Sequence, residues 1–249
     1  ESFDVSADAM TYTFKLREGL KWSDGAPFTS ADILFWYEAV LLNEEIDEGI
    51  PSWLETSGGD CTVGAEGDFT VTFSCPAANG LLLENLAGTR GEQVISWPRH
   101  YLTPFHPDHA TEADLAAAIT AEGAETWVEL FLKKADWDGN PIFQSVEKPT
   151  LNAWKLQQPY SGTQVVFERN PYYWKVDSAG QQLPYIDRVV YEIVQDNEVL
   201  LLKALNGELD FHARHINTVA NRSIIAENAE KAGYRLIDMP TTDTNVTAI

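Results

Sequence analysis

Histidines, cysteines and carboxylates are the groups in this chain that could do chemistry. His106 with His109 ("HPDH") and His212 with His215 ("HARH") each sit three residues apart, a spacing that could seed a metal site. Pro107 interrupts the first pair, and neither pair has a Cys or acidic third ligand at a recognisable distance. With His100, these side chains are therefore read as solvent-facing or core histidines. "DWDGN" at 136–140 has part of a calcium-loop pattern but lacks the later glutamate. The 38 acidic residues contain many candidate glycosidase pairs, and only their separation in space would select one. "FKLREGLKWSDGAPFTSADILFWYEAVL" (14–41) offers Arg17, Asp24 and Asp32. No base or nucleophile accompanies them, so they read as a strand end, a turn acceptor and a helix cap.

Other chemistries find no support. There is no GxxxxGK[ST], no GxGxxG after a strand and no GxSxG, and neither cysteine sits in a nucleophile-like context. No metal or cofactor is expected. Asn221-Arg-Ser223 and Asn245-Val-Thr247 match glycosylation sequons, a pattern common by chance. Eight tryptophans remain. Aromatic faces suit stacking against sugars or ligand side chains, although most large aromatics serve the core.

The elements that must position these groups follow from pattern. "TYTFKLR" alternates as a half-buried strand, and Ser23-Asp24-Gly25 makes a tight turn. Thr29 with Asp32 approximates a capping box that opens a helix near Ser30, whose buried stripe is Ile33, Trp36, Tyr37, Val40 and Leu41. Residues 43–59 read as a loop with one short helix. "CTVGAEGDFTVTFSC" reads as a hairpin turning at Gly64 to Asp68. Folding it about Asp68 sets Cys61 opposite Cys75 and allows a disulfide, with two buried free thiols as the alternative. "LLLENLAGTRGEQVISWP" reads as a helix, a loop at 88–93 and an extended piece. Thr111 with Asp114 opens another helix. "GTQVVFERN" and the segment from Asp187 read as strands, and Asp196 caps a helix ending before Gly207. "ELDF" and "YRLIDMP" read as short strands flanking a helix over 219–232. Strands alternating with helices give an α/β, or mixed α+β, class.

The bulk composition narrows the function. With 249 residues the chain can bury a sizeable core. A net charge of -21 repels phosphate backbones and sets nucleic-acid binding aside. No run of about 18 apolar residues could span a membrane as a helix. The chain opens on "ESFDVSADAM", without Met, basic n-region or apolar h-region, and reads as a cut inside a longer protein.

"YTFKLREGLKWSDGAPFTSADILFWYEAV" and "FERNPYYWKVDSAGQQLPYIDRVVYEIVQDNEVLLLKALNGELDF" resemble two hallmark regions of the family 5 extracellular solute-binding proteins of ABC importers, the oligopeptide- and dipeptide-binding group. "KPTLNAWKL" (148–156) and the long "WKVDSAGQQLPY" insertion depart from the usual pattern. The resemblance implies an incomplete periplasmic binding protein type II-like lobe with mixed β-sheets flanked by helices. Residues 1–96 would form a smaller subdomain, 97–240 part of the first-lobe domain, and 241–249 a hinge strand leading to a second lobe. It further implies a monomeric, extracytoplasmic protein, lipid-anchored or secreted. Such a protein would capture a peptide in an interlobe cleft and deliver it to ABC permease subunits, without catalysis. An oligosaccharide-binding member is the alternative within the family; a glycoside hydrolase or ligand sensor is the alternative outside it. Trp53, Arg90, Arg214, Asn245 and Thr247 fall where relatives line the cleft.

Overall fold

The computed structural model describes residues 1–46, 49–136, 143–212 and 214–238. Its strands are β1 (Ser2–Val5), β2 (Thr11–Lys15), β3 (Glu55–Thr56), β4 (Gly59–Asp60), β5 (Thr62–Glu66), β6 (Thr70–Ser74), β7 (Trp154–Gln158), β8 (Gln164–Arg169) and β9 (Arg188–Glu192). Its helices are α1 (Ser30–Phe35), α2 (Leu82–Ala87), α3 (Thr89–Val94), α4 (Arg99–Leu102), α5 (Glu112–Glu122), α6 (Trp127–Ala135), α7 (Asn197–Leu205) and α8 (Arg222–Ala232). The chain divides into two compact units, Glu1–Tyr191 and Glu192–Ile249.

In the first unit, local chemistry sets most boundaries. The alternating stretch becomes β2, central with β6 in a sheet of order β1-β2-β6-β5. Tyr12 points into the core while Lys15 stays exposed. Thr29 and Asp32 form both halves of the capping box at α1. One surprise follows: the helix continues from Trp36 to Leu41 as a π-helical turn, which buries Trp36, Ala39, Val40 and Leu41 together. The β5–β6 hairpin pairs Thr62 with Ser74 and Glu66 with Thr70, a register that folds about Asp68. Gly64 to Glu66 are therefore strand rather than turn, and Cys61 is disulfide-bonded to Cys75.

Several expectations are corrected. The short helix expected within 43–59 is replaced, among the described residues, by the small β3–β4 hairpin, closed where the Thr56 hydroxyl donates to the Gly59 carbonyl at 2.7 Å. The expected loop at 88–93 is mostly helix α3. Its glycine is a packing requirement rather than a loop signal, since a Cβ on Gly91 would sit 1.9 Å from the Leu86 carbonyl oxygen. Ile95 to Pro98, expected as extended, form no strand, because α3 runs to Val94 and α4 begins at Arg99. In the second unit, 208–211 and 234–238 form no strand, and no described strand pairs with them.

Buried side chains from β2, α1, β5, β6, α2, α4 and α6 form one core, which also holds Trp53 and Trp97. The second sheet, β7-β8-β9, carries the Lys155–Glu168 ion pair at 2.9 Å. The second unit is organised by α7 and α8. Asp196 caps α7 by accepting from the Glu198 and Val199 amides. Gly207 has φ 74°, and a Cβ there would lie 2.5 Å from the Ala232 carbonyl oxygen, so only glycine lets α8 approach so closely.

His106, one of the two histidines of "HPDH", is fully buried among Phe35, Trp127 and Phe131. Its Nε2 lies 3.0 Å from the Ala39 carbonyl, at the π-helical turn, and its Nδ1 accepts from the Asp108 amide at 3.3 Å. Both ring nitrogens are thus satisfied in the neutral form. Burial pushes the imidazole below its ordinary range and His109 adds to this, against the opposing Ala39 carbonyl, Asp108 and Glu45. The unfolded chain therefore binds a proton that the folded chain resists, and stability falls as pH drops through about 6.5. Urea midpoints taken from about pH 7.5 to about pH 5 should decline more steeply for the wild type than for His106→Gln. Equal declines would show that His106 does not contribute.

Candidate ligand-binding site

The two hallmark segments meet around a buried asparagine. Asn170, in "RNPYYW", is inaccessible to solvent. Its side chain donates to the Asn152 carbonyl at 2.9 Å and accepts from the Tyr172 amide at 2.9 Å, and its own amide donates to Ala153. From the other side, the Ser23 amide donates to the Thr150 carbonyl at 2.9 Å, and the Thr150 amide donates to the Ser23 hydroxyl at 3.0 Å. The "SDG" turn and the "NPYYW" box thus clamp segment 148–153 between them. Asp24 does turn work here: one oxygen accepts from the Ala26 amide at 3.0 Å and the other pairs with His100 at 2.7 Å. Asp32 is buried, accepts from the Thr29 and Arg99 amides, and has its carboxyl pushed up chiefly by burial.

The clamped segment borders a groove of about 390 Å³, within the size range of small-molecule sites. Trp22, Trp154, Phe143 and Phe167 give it aromatic surface, while Glu92, Asp136, Lys148 and Asn152 give it polar groups. Trp154 is fixed by its indole N–H, which donates to the Ile186 carbonyl at 2.9 Å. Asp136 accepts from the Phe143 and Gln144 amides at 2.9 and 3.1 Å. The stem of Lys148 is part-exposed but its ammonium is enclosed and donates to the Ala135 carbonyl. Burial pushes that ammonium down to about 8, against Asp136 and Glu92, which favour the charged form. The groove can stack a flat or sugar-like face and hydrogen-bond its edge. Its lining draws on Trp22 and Phe167 of the two hallmark segments, Asp136 of "DWDGN" and the divergent stretch 148–156, which no single motif joins.

Of the residues expected to line a cleft, Trp53 and Arg90 do not line this groove. Trp53 is core: its indole is 7% exposed and stacks on Trp36 with ring centres 6.3 Å apart, and its carbonyl accepts from Asn79 at 2.9 Å. Arg90 is exposed on α3, the helix whose Thr89 and Glu92 line the groove. Arg214 is exposed in the second unit, where its carbonyl accepts from the Ile216 amide and from His212 Nε2. Asn245 and Thr247 lie outside the described residues, as does most of "DWDGN". No cluster of three or more potential metal ligands exists among the described residues.

The family model described as bacterial extracellular solute-binding proteins, family 5 (middle) matches residues 1–246. A Brucella ovis protein, provisionally named as an ABC transporter peptide-binding protein, is 53% identical over 238 residues, covering 96% of this chain and 36% of the relative. The periplasmic alpha-galactoside-binding protein of Rhizobium meliloti is 30% identical over 193 residues, covering 78% of this chain and 25% of the relative. The solved structure of an oligopeptide-binding protein, OppA, superposes with a TM-score of 0.84 at 38% identity, covering 94% of this chain and 36% of that one. The chain thus spans between a quarter and about a third of the length of these relatives. No described helix is long and apolar enough to cross a membrane. The chain belongs to the bacterial extracellular solute-binding proteins, family 5.

Proposed function

We propose that the full-length protein is the substrate-binding component of an ABC importer. It captures an oligopeptide or dipeptide outside the cytoplasm and delivers it to the permease, acting as a monomer without catalysis. The observation that carries this reading is the family match over residues 1–246, joined by the 53% identical relative named for peptide binding. The Cys61–Cys75 disulfide fits an oxidising, extracytoplasmic compartment. Residues 1–96 act as a smaller subdomain and 97–240 as part of the first-lobe domain. Residues 241–249 cross to a second lobe, and closure between lobes sequesters the ligand. Arg90, Arg214, Asn245 and Thr247 contact ligand, whereas Trp53 supports the wall by packing.

An oligosaccharide is the second reading, favoured by the alpha-galactoside-binding relative and by the aromatic groove lining. Calorimetry of the full-length protein against peptide and oligosaccharide panels separates the two by which panel gives saturable heat.

A further inference from the structure

The "WKVDSAGQQLPY" insertion builds a second groove, of about 310 Å³, against the start of the chain. Arg17, Lys21, Tyr172, Trp174 and Gln182 line it, together with one carboxylate, Glu18, so the lining holds two cations against one anion. The Arg17 guanidinium lies 5.5 Å from the centre of the Trp174 ring, and the Lys175 ammonium 5.1 Å from the same centre. The Lys21 ammonium lies 5.4 Å from the Tyr172 ring centre. All three cations are exposed, and none makes a hydrogen bond or ion pair with another described residue. That is unexpected in a chain with 38 carboxylates against 17 basic residues, where chance alone favours pairing.

The rings beneath the cations are held in place. Tyr172 packs on the 23–25 turn so closely that a Cβ on Gly25 would sit 3.0 Å from its hydroxyl oxygen. Gln182 donates to the Pro171 and Tyr173 carbonyls at 2.8 and 2.9 Å, tying the insertion to the aromatic box. Asp177 closes the insertion's turn by accepting from the Ala179 and Gln181 amides, each at 2.8 Å, and from the Tyr185 hydroxyl at 2.5 Å. Cation–π contact restrains the charged heads before any partner arrives, so less side-chain entropy is lost when an anion binds.

We propose that this groove is a docking site for an acidic segment of a partner protein, with adjacent carboxylates meeting Arg17 and Lys21 in the groove and Lys175 beside it at the Trp174 ring. Charge complementarity selects the occupant. The net charge of -21 opposes nucleic acid and anionic membrane surfaces, which present charge over a wide area. A short acidic segment can meet the local cations while the rest of its chain stays clear. The proposal does not depend on which solute is carried.

The test is binding of a labelled hexaglutamate peptide to the full-length protein at low ionic strength, read by fluorescence anisotropy. Combined Arg17→Gln, Lys21→Gln and Lys175→Gln changes should weaken binding at least about tenfold. The same net-charge change made at Lys133, Lys155 and Lys231, which do not line the groove, should weaken it much less. Trp174→Leu keeps every charge but frees two cations, and should weaken binding severalfold while circular dichroism stays unchanged. A hexaglutamine peptide should not bind. The proposal is overturned if hexaglutamate fails to bind, or if the two triple variants lose affinity equally. It is also overturned if phosphate or anionic phosphatidylserine vesicles compete as well as the peptide does.

Discussion

Trp53→Ala is expected to lower the unfolding free energy by about 3 to 5 kcal/mol, the range for deleting a buried aromatic side chain. The indole is almost fully buried, stacks on Trp36 at an interplanar angle of 13°, and shares the core with both cysteines. Its Nε1–H has no hydrogen-bond partner among the described residues, so the loss comes from packing rather than from a broken polar contact. Urea unfolding followed by far-ultraviolet circular dichroism reads the effect. A loss below about 1 kcal/mol, as at a surface position, would show that the ring is not part of the core. Trp53→Phe should recover much of the stability, because it keeps a ring against Trp36.

Replacing Cys61 and Cys75 together with serine should cost at least about 3 kcal/mol, the amount expected for opening a loop of this size alone. The two residues are 14 apart and buried at 0% and 5% exposure. The cost has two parts: the unfolded chain regains the freedom that the bond removes, and two hydroxyls enter an apolar site. Reducing the wild type isolates the first part. If reduction leaves the thermal midpoint unchanged, the bond does not stabilise the protein by restricting the unfolded chain.

Much of the fold was legible because its signals are local. Thr29 with Asp32, Thr111 with Asp114, and Asp196 each announce a helix start through one side chain and one nearby amide. The hairpin's fold about Asp68 followed from the alternating "FTVTF" and the glycine-rich run before it, although the turn is shorter than that run suggests. What stayed hidden depends on distant neighbours. Gly91 reads as a loop residue until the Leu86 carbonyl is seen beside it. Nothing near Trp36 in sequence predicts a π-helical turn, where His106 reaches the Ala39 carbonyl and Trp36, Ala39, Val40 and Leu41 are buried. The site was less legible than the fold. Ser23 holds Thr150 across 127 residues of sequence, and the lining of the larger groove comes from scattered stretches. The aromatic at 53 had the right residue type for a cleft wall, but its neighbours decided its placement, and they put it in the core.

The central claim, capture of a solute without chemistry, is tested most directly by titrating the full-length protein with the peptide and oligosaccharide panels in a calorimeter and analysing the ligand afterwards. The account predicts one-site saturable binding to a ligand recovered intact, and at least tenfold weaker binding for Arg214→Ala at an unchanged melting temperature. Cleavage of the ligand, or the absence of saturable heat with either panel, would contradict it.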